Sequence, residues 1–380
     1  MKKKTVSIEV LRTIASFLVI MAHIQLNPIL ADGCFSWKRI CFSSIIGDNV
    51  PLFFLISGFY MFNQTNGGND IFFTYRRKLK NFFLNIYFPS LIIVIATCMA
   101  EPWLEGRSPV VLIQWRTLWN YIFNISATGL CGHLWYIGTY IRFIIFFPLL
   151  AFICEDKPEK NIVRRTYIVL SALNIIILDI AYLLQSDFID FSKVVLDNYF
   201  LYLFLGNELY LFLHNKNNKP HKSIFFAGIS LYIIGNISKT ILQYWALRQW
   251  GTNIKLWYMG LECFPAYISS CGLFLTFYLL KNINWKLNEV WYFLGKYSFY
   301  IYLCHFIVIK KLQTLNIQST LMQLNKNGID LIHIGLYYLE LGTIVFIFSL
   351  LPGIILEKSS HFLINMVKKY YPVFPMFRHK

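Results

Sequence analysis

About ten apolar segments follow one another along this chain, and each is long enough to cross a membrane as a helix. A helix needs ~20 predominantly apolar residues to span the hydrocarbon core of a bilayer. We place the segments at 7–26, 45–62, 82–100, 134–154, 165–185, 198–214, 223–243, 263–281, 290–310 and 331–356. This pattern predicts an all-α, polytopic transmembrane helix bundle with about ten spans.

The composition agrees with this fold class and indicates no separate soluble domain. Of the 380 residues, 57% are hydrophobic and 14% are charged, whereas charged residues make up about 25% of a typical soluble domain. Residues 1–358 are therefore predicted to form one transmembrane domain. Residues 359–380 are basic and aromatic, which is typical of a cytoplasmic tail that lies on anionic membrane lipid.

The distribution of basic residues predicts the orientation of the chain. Cytoplasmic loops of membrane proteins carry an excess of Lys and Arg. The basic stretches at 76–80, 155–165, 214–222 and 281–286 fall on the same side as the N-terminal MKKK and the tail. Both termini are thus predicted to be cytoplasmic. This bias also accounts for the net charge of +16 without a nucleic-acid partner.

The cysteines give no sign of a metal site. The eight cysteines show no CxxC pair and no other metal-ligand spacing. Cys34 and Cys41 lie in the same predicted external loop, and whether they form a disulfide is left open.

The first apolar segment contains an arginine and a histidine that a membrane span does not need. Arg12 and His23 are eleven residues apart, so they fall on nearly the same face of a helix, ~16 Å apart along its axis. An Arg inside a membrane costs about 2.5–3.5 kcal/mol on insertion scales. Glu9 lies three residues before Arg12, which places its carboxylate where it can hold the guanidinium.

Two interpretations of this face are open. In the first, Glu9 and Arg12 form a structural ion pair near the membrane interface, and His23 lies among the outer headgroups. In the second, a long ligand lies along the face. Arg is suited to binding phosphate, and a buried, uncharged imidazole is available as a general base. A coenzyme A thioester, with phosphates at one end and a reactive group at the other, has this shape.

Five sequence blocks follow one another along the chain: IEVLRTIASFLVIMAH at 8–23, VPLFFLISGF at 50–59, YRRKLKNFFLNIYFP at 75–89, HLWYI at 133–137 and SFYIYLCH at 298–305. In this order they resemble the blocks of the integral-membrane acyltransferase family 3, which includes bacterial O-acetyltransferases of cell-surface polysaccharides and peptidoglycan. The first helix of that family carries an acidic residue, an Arg, and a His eleven residues further on, here Glu9, Arg12 and His23.

The resemblance implies roles for residues of these blocks. It implies that His23 is the catalytic base, that Arg12 helps to bind acyl-CoA, and that Arg76 or Arg77 contacts the CoA phosphates. For the last two, the alternative is the ordinary basic bias of a cytoplasmic loop. Further residues are candidates for lining the site or for donating hydrogen bonds to the reacting oxyanion: Glu9, Ser57, His133, Trp135, Tyr136, Tyr302 and His305.

The sequence therefore predicts a multi-pass enzyme of the bacterial cytoplasmic membrane that moves an acetyl or other short acyl group from acetyl-CoA or another acyl-CoA to a glycan hydroxyl. The glycan is at the cell surface or linked to lipid. Direct transfer is favoured over an acyl-enzyme because the chain has no G-x-S-x-G elbow.

The alternative is a transporter or flippase for a polysaccharide or lipid-linked sugar, although no matching pair of broken helices is visible. Glu208, an acid inside an apolar segment, is a further functional hypothesis. The acyl group, the acceptor and the oligomeric state are left open.

Overall fold

The computed structural model describes residues 6–29, 35–62, 71–104, 119–122, 129–184, 198–214, 222–250, 261–280, 288–325 and 330–370. Regular structure in these ranges is helical, apart from one isolated β-bridge between Ile29 and Phe35. The predicted all-α fold class is confirmed. Cys34 lies outside the described residues, and Cys41 is a free thiol.

The first half of the chain forms shorter helices with several breaks. They are α1 (Val6–His23), α2 (Trp37–Ile46), α3 (Asn49–Met61), α4 (Ile71–Phe82), a π-helical turn (Phe83–Tyr87), α5 (Phe88–Leu104), a 3₁₀ turn (Gly129–Leu134), α6 (Trp135–Ile145) and α7 (Phe147–Ile153). The second half forms longer helices. They are α8 (Pro158–Leu184), α9 (Tyr199–His214), α10 (Lys222–Trp250), α11 (Phe264–Leu279), α12 (Asn288–Thr314), α13 (Ile317–Leu324) and α14 (Leu331–Tyr370). Helix α14 continues across residue 358, where the sequence divides the domain from the tail.

The described chain crosses a membrane several times, but the predicted number of about ten spans is not confirmed. Seven helical segments are long and apolar enough to span, or eight if the pair α6–α7, bent by 64°, counts as one. Helices α9 and α11 correspond to the predicted segments 198–214 and 263–281, but each has 16 residues. At 1.5 Å per residue that is ~24 Å, which is shorter than the ~30 Å hydrocarbon core.

Helix α1 lies at the centre of the bundle. It packs against α2, α3, α11, α12 and α14. In its apolar window 61% of the residues are buried inside the protein, compared with 11% for α8 at the periphery. Ser16 of α1 donates a hydrogen bond of 3.1 Å to the backbone carbonyl of Ser298 on α12. The polar face of α1 therefore points into the protein.

Helices α3 and α9 approach each other at backbone distance because each contributes a glycine. A Cβ atom on Gly58 would lie 2.2 Å from the carbonyl oxygen of Leu203, and one on Gly206 would lie 2.3 Å from that of Leu55. Small residues allow this close approach between membrane helices. The glycine of the LISGF block thus has a packing role.

Two ion pairs lie inside the bundle. Lys239 Nζ of α10 is 2.8 Å from Asp48 Oδ1, in the turn between α2 and α3, and both side chains are 0% exposed. Arg164 Nε of α8 donates to Glu208 Oε1 of α9 at 2.6 Å. Glu208, predicted as a possible functional acid, is therefore the partner of a buried arginine.

Candidate active site

Two cavities lie along α1, one lined by Arg12 and the other by His23. The larger, which we call the Arg12 cavity, has a volume of about 700 Å³. The smaller, the His23 cavity, has a volume of about 530 Å³. Both fall within the range of ~300–1,000 Å³ that is typical of small-molecule sites. Val50 and Tyr302 line both cavities, so the two adjoin.

Arg12 is held by Glu9, as the i, i+3 spacing predicts. Its Nη1 is 3.1 Å from Glu9 Oε1, and this contact confirms the predicted ion pair. The Glu9 side chain is 2% exposed, while that of Arg12 is 31% exposed and lines the Arg12 cavity. Gly295 of α12 makes room for this pair, because a Cβ there would lie 2.3 Å from Glu9 Oε2. A fixed cation therefore faces the cavity.

Two lysines that the sequence analysis did not single out line the same cavity. Lys78 reaches it from α4 and Lys296 from α12. Lys296 Nζ also lies 2.7 Å from Glu357 Oε1 of α14. Arg76 and Arg77 are exposed on α4 and are not among the residues that line either cavity.

The spacing of polar residues on α4 could have revealed Lys78. Lys78, Asn81 and Asn85 all line the Arg12 cavity, and they follow one another at helical spacing on one face. This signal appears only if the basic stretch is taken as part of the helix. The sequence analysis begins that span at residue 82, whereas the helix begins at Ile71.

Three predicted site residues line the Arg12 cavity with Arg12: Ser57, Tyr136 and Tyr302. Ser57 Oγ donates to the Phe53 carbonyl at 2.8 Å, and the Tyr136 ring stacks on that of Phe54 with their centroids 4.9 Å apart. The Tyr302 hydroxyl donates to the backbone carbonyl of His133. Tyr302 thus joins α12 to the 3₁₀ turn at the place where the cavities meet.

The second cavity contains a histidine cluster, which we define as His23, His133 and His305. The ring centroid of His305 lies 5.0 Å from those of His23 and His133, and the His23 and His133 centroids are 6.1 Å apart. His23 is exposed and lines the cavity with His133 and Trp135, whereas His305 is fully buried beside them.

The remaining wall of the His23 cavity is mainly apolar, with polar side chains among the apolar ones. The polar side chains include Gln25, Ser43, Asn49, Thr139, Arg142 and Glu262, and the sequence analysis named none of these. In the described part of the chain, no three His, Cys, Asp or Glu side chains are arranged to hold a metal ion, the histidine cluster included. The cavity offers hydrogen-bonding groups around an imidazole.

These features define a multi-pass membrane protein with a cationic cavity next to a histidine-containing one. The family model described as an acyltransferase domain, of acyltransferase family 3, matches residues 5–358. The chain belongs to this family, and it is therefore a membrane acyltransferase in the general sense. Searches of curated proteins and of solved structures gave no significant match.

Proposed function

We propose that the protein transfers an acetyl or other short acyl group from acyl-CoA to a hydroxyl group of a cell-surface or lipid-linked glycan. The observation that carries this proposal is the pair of adjoining cavities, one with three cationic side chains and the other with His23. A donor with a polyanionic end and a distant reactive carbonyl needs a cationic cavity for the first and a separate cavity with a base for the second. The family membership supports acyl transfer in general.

The donor site is proposed to be the Arg12 cavity. Arg12, Lys78 and Lys296 line it together, and cationic side chains form strong, charge-assisted hydrogen bonds with phosphate oxygens. Glu9 keeps the Arg12 guanidinium in one place, which lowers the cost of ordering it when the ligand binds. Arg76 and Arg77, exposed on the same helix as Lys78, are proposed to contact phosphates outside the cavity.

The chemical step is proposed to take place beside His23. The pantetheine arm would pass Val50 and Tyr302 and present the thioester carbonyl to the His23 cavity. His23 removes the proton of the acceptor hydroxyl while the hydroxyl oxygen attacks the carbonyl carbon of the thioester. The carbon–sulfur bond then breaks, and the CoA thiolate takes the proton from His23. General-base catalysis of this kind is worth ~10²–10⁴-fold.

Among the candidate oxyanion donors we favour Tyr136. The hydrogens of Ser57, Tyr302 and the His305 Nδ1 are each directed to a backbone carbonyl. Tyr136 lines the Arg12 cavity, and its ring lies 5.9 Å from that of Tyr302 at the junction of the cavities. Loss of one oxyanion donor lowers kcat by ~10²–10³-fold.

The acceptor is proposed to enter the His23 cavity from outside the cell. Its polar side chains, which include Gln25, Asn49 and Thr139, can form hydrogen bonds with the hydroxyl groups of a sugar. The basic bias of the predicted loops favours cytoplasmic termini, so the Arg12 end of α1 would face the cytoplasm. We propose a location in the bacterial cytoplasmic membrane, as the resemblance to the family implies.

The first test is acetyl-CoA binding to the purified protein in detergent. We expect saturable binding by the wild type, clear weakening in Arg12→Ala and little change in His23→Ala, which should instead lose transfer. Arg165→Ala is a matched control, because Arg165 is 68% exposed and lines neither cavity. If a folded wild type bound neither acetyl-CoA nor another acyl-CoA, the transporter interpretation would replace the proposal.

A further inference from the structure

His305 is a buried polar side chain with one nitrogen that nothing in the described structure uses. Its Nδ1 lies 2.6 Å from the backbone carbonyl oxygen of Tyr302. A carbonyl oxygen only accepts hydrogen bonds, so Nδ1 carries the hydrogen. In a neutral imidazole the lone pair is then on Nε2. Among the described residues, His305 Nε2 is buried without a hydrogen-bond partner.

An unused acceptor in a fully buried position calls for an explanation, since most buried polar groups are paired. A phenylalanine or methionine would fill the same space without this cost. The His305 ring lies next to both other members of the histidine cluster, His23 from α1 and His133 from the 3₁₀ turn. His23 is the exposed member, and its ring is therefore the one with space to turn.

The separation of the His23 and His305 rings is the one expected for two rings joined by a hydrogen bond. In an imidazole each nitrogen is ~1.1 Å from the ring centre, and an N–H···N contact is about 3 Å long. Two rings joined in this way have centroids ~5 Å apart. The His23 and His305 centroids are 5.0 Å apart, with the ring planes at 40°.

We propose that His305 is a positioning residue for His23. In the reacting complex its Nε2 accepts the N–H of His23, which fixes the His23 tautomer with the lone pair directed at the acceptor hydroxyl. This inference rests on the proposed role of His23 as the base. Bases in nucleophilic catalysis are commonly oriented by such a third group.

The proton does not pass through His305. His305 keeps its own hydrogen on Nδ1, bonded to Tyr302, throughout the reaction. His23 takes the hydroxyl proton, is briefly an imidazolium held by His305 Nε2, and returns that proton to the departing thiolate. The new carbon–oxygen bond and the broken carbon–sulfur bond are the only covalent changes apart from this proton transfer.

The test compares His305→Phe with His305→Gln. Phe keeps a ring but has no acceptor, whereas the Gln side-chain oxygen can reach the position of Nε2. The assay is thiol release from acetyl-CoA by membrane vesicles of the expressing bacterium, which carry its own envelope glycans. We expect His305→Phe to lower kcat ~10²-fold or more, within the range of general-base effects, with the KM and binding constant for acetyl-CoA within twofold. His305→Gln should recover at least tenfold over Phe.

A second measurement needs no turnover. Nitrogen-15 NMR of histidine-labelled protein with acetyl-CoA bound reports the tautomer of His23, whose signals are assigned by their loss in His23→Ala. We expect one tautomer in the wild type and a mixture in His305→Phe. An unchanged His23 tautomer in His305→Phe, equal loss of activity in the Phe and Gln variants, or a tautomer that depends on His133 instead would overturn the inference. Absence of His23-dependent thiol release in the wild type would contradict the proposed function separately.

Discussion

Replacing Lys239 by Met should destabilise the protein strongly, although Lys239 lies outside both cavities. Lys239 Nζ donates to Asp48 Oδ1 at 2.8 Å and to the Ser44 carbonyl at 2.6 Å. Asp48 Oδ1 also accepts from the hydroxyls of Ser269 and Ser270, at 2.5 and 2.9 Å. Lys239→Met therefore leaves a fully buried carboxylate that keeps hydrogen-bond donors but loses its counter-charge.

The expected cost follows from this environment. Removing one partner of a buried ion pair typically costs about 3–5 kcal/mol, because the remaining charge is uncompensated. The Ser269 and Ser270 hydroxyls still support the carboxylate, and Asp48 can neutralise itself by binding a proton. We therefore expect a loss near the lower limit, about 3 kcal/mol. The double variant Asp48→Asn with Lys239→Met removes both charges and should recover a large part of that loss.

The free energy of unfolding, measured by titration of the detergent-solubilised protein with denaturant, checks this expectation. Lys157→Met is the matched control: Lys157 pairs with Glu155 at 2.9 Å, with side chains 51% and 32% exposed. An exposed pair of this kind contributes little to stability. The reasoning would be refuted if Lys239→Met cost no more than Lys157→Met, or if the double variant were less stable than either single variant.

Three further substitutions test the packing and the donor site. Gly58→Ala should lower the melting temperature by forcing α3 away from Leu203. Gly132→Ala should not, because a Cβ there meets nothing within 4 Å. Equal melting temperatures of the two variants would contradict the close approach of α3 and α9. Gly295→Ala should weaken acetyl-CoA binding, because its Cβ displaces the carboxylate that holds Arg12; an unchanged dissociation constant would disprove that link. Lys78→Ala should weaken acetyl-CoA binding more than Arg76→Ala does, since of these two residues only Lys78 lines the Arg12 cavity. A larger loss of affinity in Arg76→Ala, measured by a binding titration, would place the CoA phosphates outside that cavity.

Local spacing was enough to predict the contacts within α1 but not the number of spans. The Glu9–Arg12 pair depends only on helix geometry, and the structure contains it. Helices α9 and α11 leave the span count unconfirmed, because apolar residues face the protein interior as well as lipid. In α9, for example, Tyr202 and Leu203 are fully buried in the bundle. Hydropathy does not distinguish a short buried helix from a crossing one.

Contacts between distant parts of the chain were beyond the reach of a single sequence. Asp48 and Lys239 are 191 residues apart, and nothing local marks either as the partner of the other. The same holds for Lys296, which reaches the Arg12 cavity from α12, and for Arg164, which pairs with Glu208. Arg76 and Arg77 stay a prediction, since their role depends on a ligand outside the cavity.

The junction of the two cavities at Tyr302 and Val50 determines what the proposed enzyme has to carry across the membrane. If the acyl-CoA donor binds on one side of this junction and the acceptor on the other, the CoA part of the donor stays on the side of the Arg12 cavity. Only a small acyl group then crosses, and it is transferred to the acceptor at the junction of the two cavities. Such a protein combines import of a building block with its covalent use, and it needs neither an alternating-access cycle nor a free activated intermediate outside the cell.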